Sequence, residues 1–206
     1  MTDRKALAGT AAQQIRLLLG KIESAARAGV DWIQIREQEL SGRELTELVR
    51  ESCRRVPARC RILVNGRLDV AYTAGAGGVH LGERSMSVAD ARRFWWKRNR
   101  SGDFLIGASV HSLEAAQAAE TEGADYLIFG PVHPTPSKAQ FGPPQGLTKL
   151  SDVCERTKIP VIAIGGITLE SVRDCVGAGA AGVAAIRLFQ DAQDLEAVVR
   201  GLRSNR

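Results

Sequence analysis

Glu122-Gly123-Ala124-Asp125-Tyr126-Leu127-Ile128-Phe129-Gly130 decides the fold of this chain. A helical pattern stops at a glycine, an apolar strand-like run follows, and a second glycine breaks that run into a loop. Glycine suits the position just past a helix because it takes positive φ without steric penalty. The arrangement recurs at Ala28-Gly29-Val30-Asp31-Trp32-Ile33-Gln34-Ile35-Arg36 and at Ala74-Gly75-Ala76-Gly77-Gly78-Val79-His80-Leu81-Gly82. It returns at Ala178-Gly179-Ala180-Ala181-Gly182-Val183-Ala184-Ala185-Ile186. A weak internal repeat of helix, glycine and short strand therefore runs through the sequence.

Amphipathic segments fill the gaps. Residues 43–55 place Leu45, Leu48 and Val49 on one face, and Ser41-Gly42-Arg43-Glu44 fits a capping box before them. Further helices are predicted at 113–120, entered through Ser112, at 171–176, entered through Thr168, and at 195–202. Strands are predicted near 32–36, 61–64, 78–81, 104–108, 125–129, 160–164 and 182–186. Short buried strands alternating with helices mean a parallel sheet. No linker or composition break divides them. The pattern predicts one α/β domain over residues 1–206, a (β/α)8 TIM barrel rather than a doubly wound sheet. An eighth strand is lacking. Only Met1-Thr2-Asp3-Arg4 precedes the first helical pattern, so the first strand reads as truncated.

The 206 residues suffice for a substantial core, and 44% are hydrophobic, which excludes a disordered chain. No apolar run reaches the ~18 residues of a membrane span, and the N-terminus lacks the apolar stretch of a secretory signal. The four cysteines, Cys53, Cys60, Cys154 and Cys175, show no metal-ligand spacing and read as reduced packing residues of a cytoplasmic protein. Net charge is +5, with arginines grouped at Arg50, Arg54, Arg55, Arg59 and Arg61 and again at Arg92, Arg93 and Arg98. Without interleaved aromatics these read as solvated faces, not as a nucleic-acid surface. The sequence leaves a homo-oligomer open.

In a barrel the reactive residues lie at the C-terminal ends of the strands. Those ends read Gln34 and Arg36; Asn65 and Arg67; His80; Ser109 and His111; His133, Thr135 and Lys138; Gly165 and Gly166; Arg187. All three histidines fall among them. The loop Gly130-Pro131-Val132-His133-Pro134-Thr135-Pro136-Ser137-Lys138 holds its polar groups between prolines, which fix φ and lower the loop's entropy. It reads as an active-site loop. Gly165 and Gly166 let backbone N–H groups approach an anion, so phosphate is expected there, with Arg187 adding a charge-assisted bond. Arg36 shares a face with Gln34. If buried, it needs an anionic ligand or a carboxylate partner such as Asp69 or Glu37. His80 reads equally as a satisfied core histidine or a functional one. The strand ends offer no carboxylate cluster, and no metal site is predicted.

Together these residues resemble the thiamine-phosphate synthase/TenI superfamily. The resemblance rests on Gln34-Ile35-Arg36, Asn65-Gly66-Arg67-Leu68-Asp69, Gly78-Val79-His80-Leu81-Gly82 and Gly107-Ala108-Ser109-Val110-His111-Ser112. It extends through the loop from Gly130 to Lys138 and Ile164-Gly165-Gly166-Ile167, and so covers nearly the whole chain. It implies a TIM barrel that binds a small-molecule thiazole phosphate. Thr2-Asp3-Arg4 resembles the end of the family's first strand, which implies an N-terminal truncation.

Two branches follow from the resemblance. Thiamine-phosphate synthases join a pyrimidine diphosphate to the thiazole phosphate and expel pyrophosphate, with magnesium on two aspartates. Gly66 and Ser85 stand at those positions here, and Gln38 replaces a lysine that meets the diphosphate. The TenI-like thiazole tautomerases move a proton without metal, for which a histidine base is suited. Their histidine stands at the position of Pro131, two residues before His133. The leading expectation is a metal-independent tautomerase without cofactor. His133 or His111 would be its acid/base, Gln34, Arg36, Asn65, Ser109, Thr135 and Lys138 would bind substrate, and Gly165, Gly166 and Arg187 would hold phosphate. A synthase with altered magnesium ligation and a non-catalytic thiazole-phosphate-binding regulator are the alternatives.

Overall fold

The computed structural model describes residues 1–98, 103–135 and 143–205. Each predicted strand is present: β1 Trp32–Ile35, β2 Arg61–Asn65, β3 Gly78–Leu81, β4 Leu105–Val110, β5 Tyr126–Phe129, β6 Val161–Ile164 and β7 Gly182–Ala184. They form one parallel sheet whose spatial order is the chain order. Helices connect them: α1 Ala11–Arg27, α2 Gly42–Arg55, α3 Leu68–Ala74, α4 Val88–Arg98, α5 Leu113–Thr121, α6 Gly146–Arg156, α7 Val172–Gly177, α8 Arg187–Gln190 and α9 Leu195–Ser204.

The repeat glycines explain this regularity. Gly29, Gly75, Gly123 and Gly179 adopt φ of 102°, 70°, 93° and 95°. Behind each, the next residue reaches back to the last helical turn. Val30 N–H donates to Ala25 O at 3.1 Å, Ala76 to Ala71 at 3.0 Å, Ala124 to Ala119 at 3.0 Å and Ala180 to Cys175 at 3.1 Å. Four helices thus stop by one hydrogen-bonded motif that needs the left-handed conformation. The capping box at Ser41 forms as expected, with Ser41 N–H donating to Glu44 Oε2 at 2.9 Å. One helix start differs. Thr168 and Ser171 bond each other in a separate turn, and α7 begins only at Val172.

The period of two sorts the strand residues. Ile35, Val64, Val79, Ile106, Leu127, Phe129 and Ala163 are buried beneath the helices. The opposite faces meet inside the curl. There Tyr126 packs against Trp32, with ring centroids 4.8 Å apart, and against His80 at 5.6 Å. Gly107 makes room for it. A Cβ at Gly107 would lie 2.0 Å from the Tyr126 ring, closer than real atoms approach.

The sheet curls until its first and last strands are bridged by the chain's opening residues. Met1 N donates to Ala185 O at 3.2 Å, and Thr2 N–H donates to Gln34 O at 2.9 Å. Between β7 and β1 there is no ladder among the described residues. A cavity of about 490 Å³ occupies that slot, lined by Trp32, Gln34, Ile162 and Ala184 within and by Ile22 of α1 and Val199 of α9 outside. No helix among the described residues is long and apolar enough to cross a membrane.

Candidate active site

The loop after β5 is docked along the end of β6. Val132 N–H donates to Ile164 O at 2.8 Å and His133 N–H to Gly165 O at 3.0 Å. This contact explains the paired glycines. A Cβ on Gly165 would meet Pro131 at 2.5 Å, and one on Gly166 would meet Pro134 O at 2.6 Å. Both have positive φ, 97° and 63°. The Gly166 N–H donates to nothing among the described residues, so it is available to an anion. Arg187, at the start of α8 after β7, is exposed and meets no charged or hydrogen-bonding side chain among them.

His111 directly follows β4. Its Nδ1 is hydrogen-bonded to Gly130 O. A carbonyl only accepts, so Nδ1 carries the hydrogen and the lone pair of a neutral ring lies on Nε2. Nε2 lies 3.6 Å from Glu83 Oε1. His133 is oriented differently. Its Nε2 is 3.7 Å from Cys175 Sγ on α7, so the ring leans toward the helix layer. Burial pushes the Cys175 thiol above its ordinary pKa, leaving a neutral S–H as partner.

His80 is 2% exposed and is satisfied by Tyr126 Oη at 3.1 Å from Nδ1 and Ser109 Oγ at 2.8 Å from Nε2. Burial pushes its pKa down to about 4, so the ring is neutral. Ser109 itself is only half-buried. Asn65 pairs in register with His80 and ends β2 half-buried, its amide unpartnered among the described residues.

The residues of β1 differ from their expected state. Arg36 is exposed, because β1 ends at Ile35 and the side chain leaves the sheet at the rim. It pairs with neither expected carboxylate. Asp69 is held by Arg67 at 2.9 and 2.7 Å, which keeps its carboxyl below the ordinary range. Glu37 instead accepts from Arg4 N–H at 3.2 and 3.0 Å. Gln34 is 7% exposed and faces the slot, its Nε2 without a partner among the described residues. Thr135 is half-buried, and Lys138 lies outside the described residues.

The positions where the resemblance places aspartates do face one another. A Cβ on Gly66 would lie 3.5 Å from Ser85 Oγ. Gly66 offers no donor atom there, and Ser85 Oγ accepts from Gly82 N–H at 3.1 Å. No three His, Cys, Asp or Glu side chains gather as a metal site among the described residues. These side chains do not fit a magnesium ion held by carboxylates.

Fold and site together define a (β/α)-barrel protein whose polar groups converge at the carboxyl ends of β3–β6. The chain belongs to the thiamine monophosphate synthase family, which it matches over residues 7–189. It is 43% identical over 182 residues to a thiamine-phosphate synthase of Methanoculleus marisnigri, covering 87% of this chain and 83% of the relative. A thiamine-phosphate synthase of Syntrophomonas wolfei is 36% identical over 204 residues, covering 98% and 92%. Among solved structures, thiamine phosphate pyrophosphorylase from Pyrococcus furiosus superimposes with a TM-score of 0.81 at 32% identity, covering 94% of this chain and 91% of that one.

Proposed function

We propose that this chain is a thiamine-phosphate synthase, a transferase joining a pyrimidine diphosphate to a thiazole phosphate with loss of pyrophosphate. The observation that carries this reading is its relatedness to proteins of that name, at 43% identity over most of both chains. It displaces the tautomerase as the leading reading. The geometry supports a role for each end of the site. The Gly166 N–H, the Gly165 turn and exposed Arg187 would receive the thiazole phosphate. Asn65 and Ser109 present polar groups toward the mouth. Arg36, exposed at the rim, and Lys138 would meet the anionic leaving group, where charge builds as pyrophosphate departs. Magnesium is the family's usual help at that point, and Gly66 and Ser85 do not supply its carboxylates.

That misfit is the specific observation favouring a second reading, the metal-independent tautomerase. His111 suits it better than His133, because its Nδ1 is anchored on Gly130 O and its Nε2 lies beside the Glu83 carboxylate, which would stabilise a proton gained there. One experiment separates the two. The full chain is incubated with the pyrimidine diphosphate and thiazole phosphate, and separately with the thiazole carboxylate phosphate, each with and without magnesium. Pyrophosphate release from the pair is expected. Conversion of the carboxylate alone, abolished by His111→Ala, would replace the synthase by the tautomerase. Binding of thiazole phosphate without turnover would leave the regulator.

A further inference from the structure

Inside the curl lies a chain of polar contacts of which both readings use only the last member, Ser109. It runs from Tyr126 on β5 through His80 on β3 to Ser109 on β4. Tyr126 is 1% exposed, and its hydroxyl has His80 Nδ1 as its hydrogen-bond partner. No second acceptor lies within hydrogen-bond reach of that hydroxyl among the described residues.

Two proton arrangements are open to a neutral His80. In one, the tyrosine O–H donates to Nδ1 and Nε2–H donates to Ser109 Oγ. In the other, Nδ1–H donates to the tyrosine oxygen and the serine O–H donates to Nε2. The second leaves the tyrosine hydrogen buried with nothing to receive it, which is costly. The first leaves only the Ser109 hydrogen over, and Ser109 is half-exposed at the mouth.

We propose that Tyr126 and His80 are positioning residues that hold the Ser109 hydroxyl as a hydrogen-bond donor toward the mouth. Ser109 then accepts from below and gives upward. A site built so selects a ligand with an acceptor atom at that point, such as a ring nitrogen or a phosphate oxygen. It disfavours an N–H there. Gly107 belongs to the device, because any side chain would expel the Tyr126 ring from its place. The functional half of the proposal rests on the synthase reading; the proton arrangement does not.

Ring nitrogen-15 spectra of the histidine-labelled full chain test the arrangement. The His80 signal is assigned by its loss in His80→Gln. A neutral ring with hydrogen on Nε2 is expected; hydrogen on Nδ1 would overturn the proposal. Kinetics test the consequence. Tyr126→Phe is expected to lower kcat/KM roughly tenfold, the worth of one ordinary hydrogen bond. In a Ser109→Ala background the same change should have less than about a twofold effect, because the hydroxyl it orients is gone. A full Tyr126→Phe effect persisting without Ser109 would mark a merely structural role and reject the positioning. If the unaltered chain turns over neither substrate set, the synthase reading fails, and the ring spectrum still decides the proton arrangement.

Discussion

Two basic groups, the buried His80 ring and the partly buried Met1 amine, make stability depend on pH at the scale of single residues. Burial lowers the pKa of His80 from 6.5 to about 4 and that of the Met1 amine from 8.0 to about 6. Between the folded and unfolded values the unfolded chain binds a proton that the folded chain refuses, so stability rises with pH across each window. The His80 contribution is lost as pH falls from 6.5 toward 4. The Met1 contribution grows between about 6 and 8 and is worth roughly 3 kcal/mol. The upper window is the cleaner test, because the cysteine thiols with shifted pKa are pushed upward, out of it. Urea unfolding midpoints should climb from pH 6 to 8, and acetylation of the N-terminus should flatten that climb. His80 also marks where reading the sequence stops. Its place near a strand end was legible, but its partners were not, because Tyr126 lies 46 residues and Ser109 29 residues away. For the same reason His133 read as a candidate acid/base, although its ring lies against Cys175 on another element.

At the scale of elements the seven strands were legible because each is an apolar run bounded by glycine or a charged residue, a signal that needs no distant partner. Several helices were not. Helix α3 has seven residues and α8 four, too short for a hydrophobic period to repeat. Helix α6 follows Pro143-Pro144 and starts at a glycine, which reads as loop. The glycines themselves divide into two kinds, and substitution should tell them apart. Gly123→Ala meets only the flexible Arg92 side chain, at 3.7 Å, and suffers its positive φ alone, so about 1 kcal/mol is expected. Gly107→Ala drives a methyl into the Tyr126 ring and should cost about 3 kcal/mol or more. Thermal melts of the two variants measure the difference. Equal losses would show that the Tyr126 ring yields more readily than its close packing implies.

For the whole molecule, the barrel pattern was legible as seven strands and a gap, and the gap is a cavity of about 490 Å³. Enlarging an inward residue there should stabilise rather than strain. Ala184→Ile adds methylenes into open apolar space, at about 0.8 kcal/mol for each CH₂ buried. A rise of a few degrees in Tm is expected, on the order of 2–4 °C per kcal/mol for a chain of this size. A fall would mean that the slot closes on its own in solution. The helices on either side do touch, so the sheet edges are roofed although they are unjoined.

The bridge at Met1 and Thr2 sets where the molecule yields first. Six parallel ladders hold the sheet elsewhere, whereas the two ends meet through one backbone–backbone hydrogen bond on each side and a few bonds that involve side chains, Arg36 N–H to Thr2 Oγ1 and Arg4 N–H to Glu37 on one side and Gln190 Nε2 to Asp3 O on the other, among the described residues. A ring so built has a seam. Its breathing is directional: β1 and β7 part before β3 leaves β4, and solvent enters along that line. Amide exchange should follow the same order, fastest at β7 and β1 and slowest at the centre of the sheet. Arg36 and Arg187 stand on opposite lips of the seam, so its opening would move two groups proposed for the anions apart.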